Sequence, residues 1–157
     1  MNLGRVLILA MLALALAAGA LIYWLQVYAY YRPVSFTPGR EMVLTPADGG
    51  PPEAIAVRDI EGIDAESSPL RFRACFTMDA SPTSMARFAP YDEPTPLIGP
   101  RWFSCYDAGV IGAALERGEA RAFLSQRDIH PGVDRVVAVF PDGRAYAWHQ
   151  LNGELGD

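Results

Sequence analysis

RVVAVFPDGRAYAWHQL, residues 135–151, joins two apolar runs through a turn of defined chemistry. In FPDGR, Pro141 occupies the second position of a type I turn and Gly143 the position that takes positive φ, the bulge that closes a three-residue hairpin loop. Residues 135–140 and 144–151 are therefore predicted to pair as antiparallel strands. The loop length also sets the register, placing Phe140 opposite Arg144 and Arg135 opposite His149. RVVAVF is so continuously apolar that both of its faces are expected to be buried.

Outward from the hairpin, residues 119–126 read as a further strand, followed by the turn HPGVD at 130–134. Asp107 caps a predicted helix over AGVIGAALER, which Gly118 ends from the C′ position. LRFRACFT, residues 70–77, alternates Leu70, Phe72, Ala74 and Phe76 with Arg71, Arg73, Cys75 and Thr77, the pattern of a half-buried strand. EAIAVRDI at 53–60 is another strand candidate, with 62–68 as the turn after it. Ser81 and Pro82 open a short helix. PYDEPTPLIGP at 90–100 holds four prolines and is expected to be loop. Residues 102–106 read as a short strand. The fold class is thus α+β, a mainly antiparallel sheet of four to six strands with two helices and no internal repeat.

Residues 6–25, VLILAMLALALAAGALIYWL, carry no charge over a length that crosses about 30 Å of hydrocarbon as an α-helix. Tyr23, Trp24, Tyr28, Tyr30 and Tyr31 gather at its C-terminal end, where amphipathic rings favour the headgroup level. An uncleaved single-pass anchor over 6–28 is the expected reading. A cleavable signal peptide competes with it, because Ala18-Gly19-Ala20 has small residues where a cleavage site needs them. Apolar and aromatic residues continue for eleven positions past Ala20, which favours the anchor. A short tail before the helix and a long domain after it suggest that the C-terminal domain lies outside the cytoplasm, in the periplasm of an inner-membrane protein. Ala15 and Gly19 share a helix face and would allow close pairing with another helix, as would any Ala-rich span by chance. Residues 1–31 are thus read as tail and anchor, 32–52 as a Pro/Gly-rich tether that includes a short strand near 41–45, and 53–157 as the globular domain.

All thirteen basic residues are arginine and there is no lysine. That excludes the P-loop lysine, the kinase β3 lysine and every Schiff-base mechanism. Beyond Arg32, eleven arginines face eighteen Asp and Glu, a net of −7, so phosphate backbones are repelled and nucleic acid is not an expected partner.

Cys75 and Cys105, thirty residues apart, are expected to form a disulfide, which in the loop-entropy picture stabilises by about 3.7 kcal/mol. Buried reduced thiols are the alternative. No CxxC is present, which argues against thioredoxin-type chemistry. A metal site would need Cys75, Cys105, His130 and His149 from separate elements, and Cys75 with Met78 makes only a loose copper motif. No metal and no cofactor are expected. The acid–base candidates are Asp128, His130 and Asp134 around the Pro-Gly turn, with His149 across from Arg135, although such a cluster is more often a solvated turn. No GxSxG elbow activates Ser67 or Ser68. Gly109 and Gly112 open a helix, but Asp107 beside them disfavours an anion.

The segments LQVYAYY (25–31), GIDAESSPLRFRACF (62–76), PRWFSCYD (100–107), ALERGEARAFLSQRDI (114–129) and VDRVVAVFPDGRAYAWHQLN (133–152) together resemble a group of small alphaproteobacterial single-pass membrane proteins with no established function. The resemblance covers nearly the whole chain. It implies an anchored domain of this layout and supplies no catalytic or binding residues. Members are often labelled histidine kinase, and the residues here oppose that label. His130 precedes a proline, His149 falls in a predicted strand, and the domain is too short for a dimerising hairpin plus an ATP-binding fold.

The leading functional expectation is a non-enzymatic accessory or assembly module of a membrane complex. Trp102, Phe103, Tyr146 and Trp148 are its candidate interface anchors, or else core. The alternatives are a ligand-sensing domain, or an enzyme built on the His130, Asp128, Asp134 and His149 region.

Overall fold

The computed structural model describes residues 2–153; the remaining ends of the expected tail and globular domain lie outside them. The chain divides into two units, Met1–Tyr31 and Arg32–Asp157.

The first unit is helix α1, Leu3–Trp24, continued by a π-helical turn, Leu25–Ala29, in which Tyr30 N–H donates to the Leu25 carbonyl at 3.2 Å. None of its described side chains is buried. A helix apolar on every side has no stripe to present to a soluble core, and this one is long and apolar enough to cross a membrane, a property shared with signal sequences.

The second unit is α+β. Its strands are β1 (Arg32–Pro33), β2 (Met42–Leu44), β3 (Glu53–Ile55), β4 (Val57–Asp64), β5 (Arg73–Met78), β6 (Arg121–His130), β7 (Val133–Val139) and β8 (Arg144–Leu151). Its helices are α2 (Pro82–Met85) and α3 (Ala108–Glu116). Six strands form an antiparallel sheet in the order β1-β4-β5-β8-β7-β6, and β2 pairs with β3 in a separate ribbon.

The β7–β8 hairpin has the expected register, Arg135 opposite His149, and closes with Phe140 N–H to Arg144 O at 2.9 Å and Gly143 N–H to Phe140 O at 3.0 Å. Gly143 has φ +90°, and a Cβ there would stand 2.6 Å from the Met78 carbonyl oxygen, so both conformation and space require glycine. Helix α3 also follows its caps: the Asp107 carboxylate accepts from Gly109 and Val110 N–H, and Gly118 takes φ +70°.

The central strands β5, β7 and β8 are largely buried on both faces. One face carries Phe72, Ala74, Phe76, Val137, Val139, Ala145 and Ala147 under β2, β3 and α2. On the other, Phe140 and Tyr146 pack against Ala114 and Leu115 of α3. The outer edge of β6 is covered too, since Leu124 N–H donates to Ala89 O and Tyr91 N–H to Ala122 O.

Three expectations change. The packed unit begins at Arg32 rather than Glu53: residues 32–52 supply β1 and β2, and Met42 and Leu44 are buried in the core. Gly62 and Asp64 belong to β4, not to a turn; Gly62 is glycine because the Phe36 ring lies where its Cβ would be, 2.6 Å away. Residues 102–106 form successive turns, Phe103 N–H to Pro100 O and Tyr106 N–H to Phe103 O, instead of a strand.

Candidate functional site

Consecutive residues of a strand point to opposite faces, so the β7–β8 register separates the four acid–base candidates. Asp134 lies opposite Gln150 and points to one face, while Arg135 lies opposite His149 and points to the other.

On the first face, fully buried Asp134 accepts from Asp128 N–H at 2.9 Å, Asn152 Nδ2 at 3.0 Å and the Tyr91 hydroxyl at 3.2 Å. Asp128, held at φ +46°, accepts from Gly132 N–H and Asn152 Nδ2. Burial, aided by the Asp134 charge, pushes the Tyr91 hydroxyl up to about 12. These groups knit the Pro131-Gly132 turn to the end of β8.

On the second face, His149 is buried and fully engaged. Arg135 Nε donates to its Nε2 at 3.0 Å, which fixes the proton on Nδ1, and Nδ1 lies 2.7 Å from the Pro69 carbonyl. Its ring stacks on Phe72 at 4.7 Å, and the Arg135 guanidinium lies 4.1 Å from the same phenyl ring. Burial, with the Arg135 charge behind it, pulls the imidazole down to about 3. Burial likewise lowers Arg135 to about 10, against the pull of Asp64. Both imidazole nitrogens of His149 are thus committed to partners within the fold, and the ring is held neutral.

His130 is exposed, edge-on to His149 at 5.9 Å, and lines a cleft of about 620 Å³ with Asp64, Glu66 and Arg32. Burial raises the Asp64 carboxyl, opposed by the Ala65 backbone N–H and by the charges of Arg135 and His130. The structure thus brings His130 to Asp64, a residue sequence reasoning missed, rather than to Asp134. Among the described residues no cluster of three or more His, Cys, Asp or Glu gathers at metal-binding distance.

A separate anchored segment lies at residues 93–106. Arg73, expected on a solvent face, is buried and donates to four carbonyls: Nε to Leu97 at 2.8 Å, Nη2 to Ile98 at 3.0 Å, and Nη1 to Leu70 at 2.8 Å and Phe72 at 2.6 Å. Its guanidinium also faces the Tyr106 ring at 5.7 Å. Gln150, bonded to Trp148 Nε1, accepts Thr95 N–H and donates to Glu93 O. Cys75 and Cys105 are joined by a disulfide, with the segment lying over β5 instead of pairing as a strand. Among the exposed side chains of this segment, which include Glu93, Thr95, Arg101 and Ser104, two are large and apolar: Ile98 is 84% exposed and Trp102 40%. Of the other aromatic candidates, Phe103 and Trp148 are core and Tyr146 is half-buried.

The protein thus combines one apolar N-terminal helix, of the kind found in membrane anchors and signal sequences, with a disulfide-bonded α+β domain. The chain belongs to a family of unknown function, DUF6446, whose model matches residues 42–156. The match begins at the first residue of β2, inside the stretch expected to be a tether. No curated protein and no solved structure matches the chain.

Proposed function

We propose that this protein is a non-enzymatic interaction module, anchored in the inner membrane by residues 6–28 with its domain in the periplasm, that docks a membrane-associated protein partner through Ile98 and Trp102. The observation that carries the reading is the bracing of residues 93–106. A buried arginine, a buried glutamine and a disulfide fix an irregular loop that exposes two large apolar side chains, Ile98 and Trp102, beside Arg101. Fixing a loop before it binds removes the ordering cost that otherwise weakens an interface.

Arg101 is the only charge between Thr95 and Tyr106 in an otherwise acidic domain. The partner surface is therefore an apolar pocket with a carboxylate beside it. The disulfide supports an oxidising compartment, and thus the periplasmic orientation. The locked tautomer of His149 and the opposite-face placement of Asp134 weigh against the enzymatic reading and the kinase label. Copurification from detergent-solubilised membranes should yield a stoichiometric partner that Ile98→Asp releases. A tagged protein that reproducibly emerges alone would reject the proposal.

A further inference from the structure

A cleft of about 670 Å³ opens where α2 and the β7–β8 turn meet the start of β6. Its volume lies within the range of small-ligand sites, and Met78, Met85, Phe123 and Val139 supply an apolar floor. Five charged residues line it, and they are not equivalent.

Each carboxylate is already engaged with a chain neighbour. Asp79 accepts from the backbone N–H and hydroxyl of Ser81 at 3.0 and 3.3 Å. Glu119 accepts from Arg117 Nε and Nη2 at 2.7 and 2.8 Å, and Asp142 accepts from Arg144 Nε at 2.7 Å and from the Arg144 backbone N–H at 3.0 Å. The two lining arginines, Arg58 and Arg121, pair with no carboxylate among the described residues. Arg121 instead lies over the Phe123 ring of the floor, 5.6 Å from its centroid. The donors left for a ligand are therefore two guanidiniums beside an apolar floor.

We infer that this cleft is a binding site for a small organic carboxylate with an apolar body, its oxygens held by Arg58 and Arg121 and its hydrocarbon set against Met78, Met85 and Val139. Guanidinium matches carboxylate in planar paired geometry, whereas a cation of the same shape would meet Arg58 and Arg121 with Asp79 as the one lining carboxylate not already paired with an arginine. The site is separate from the segment at 93–106 and does not depend on the docking proposal.

The full chain in nanodiscs, labelled at its methionine methyls, tests this with hexanoate, hexanol and hexylammonium as probes. Hexanoate should shift Met78 and Met85 saturably while leaving Met42 unchanged, and the other two probes should not. Lengthening the acid by one methylene should tighten binding about fourfold. Arg58→Gln and Arg121→Gln should each weaken it about tenfold or more, with the Met42 signal and the unfolding temperature preserved as controls of folding. Shifts confined to Met11 mean partition into the bilayer only and overturn the inference. Equal binding of hexylammonium, or full affinity in both variants, does the same.

Discussion

Arg135 Nε donates to His149 Nε2 at 3.0 Å across the β7–β8 hairpin, so a cation holds the imidazole neutral in a buried site. In an unfolded chain the same imidazole gains a proton near pH 6.5, whereas in the folded domain it stays neutral to about 3. This group's contribution to stability is complete above pH 6.5 and is lost as pH falls toward 3. Between pH 7 and pH 5 the loss is about 2 kcal/mol. The raised Asp64 carboxyl acts in the opposite direction at lower pH, because burial favours its protonated form. We expect His149→Gln to be less stable at pH 7 and to lack this acid slope in denaturant titrations. An unchanged slope would show that His149 is not the group responsible.

Arg73 joins β5 to the loop above it through the Leu97 and Ile98 carbonyls, and also donates to the carbonyls of Leu70 and Phe72. Arg73→Met should cost about 2–4 kcal/mol by leaving those acceptors unpaired, and should expose residues 93–101 to protease. Arg73→Lys should rescue little, because an ammonium cannot reproduce the guanidinium fork. Limited proteolysis with mass analysis of the fragments reads both outcomes.

That arginine also shows where sequence reading reaches its limit. Alternation places Arg73 on the face of β5 opposite the phenylalanines, and no local signal says that a proline-rich loop will cover that face. The hairpin was legible because FPDGR encodes its own turn geometry. Helix α3 was legible for the same reason, through Asp107 and Gly118. Residues 32–52 misled because prolines and glycines look like linker, whereas Met42 and Leu44 are buried by long-range packing. The split of the acid–base candidates was implicit in the register: once Arg135 faces His149, its neighbour Asp134 must point the other way.

Tyr106 is buried, and its hydroxyl has no hydrogen-bond partner among the described residues. Burial pushes this hydroxyl's pKa upward despite the nearby Arg73 charge. Tyr106→Phe removes an unsatisfied polar atom while keeping the ring that packs edge-on to Tyr146. We expect the variant to be as stable as the wild type or more stable by about 1 kcal/mol. A loss of 1 kcal/mol or more in chemical denaturation would mean that the hydroxyl is bonded.

Gly143→Ala meets both a left-handed backbone at φ +90° and the Met78 carbonyl oxygen. The strain should cost about 2–4 kcal/mol and lower the unfolding temperature. Asp142→Ala, at an exposed position in the same turn, should cost less than about 1 kcal/mol despite losing its pair with Arg144. Equal losses in the two variants would mean that the close approach to β5 is not limiting.

The docking claim meets its most direct test in membranes, with a photocrosslinking amino acid in place of Trp102 in the full-length chain. The proposal expects one crosslinked protein product of discrete mass, abolished by the additional substitution Ile98→Asp and absent when the crosslinker replaces exposed Arg121 on another surface. Crosslinks to lipid alone, or a product indifferent to Ile98→Asp, would contradict it.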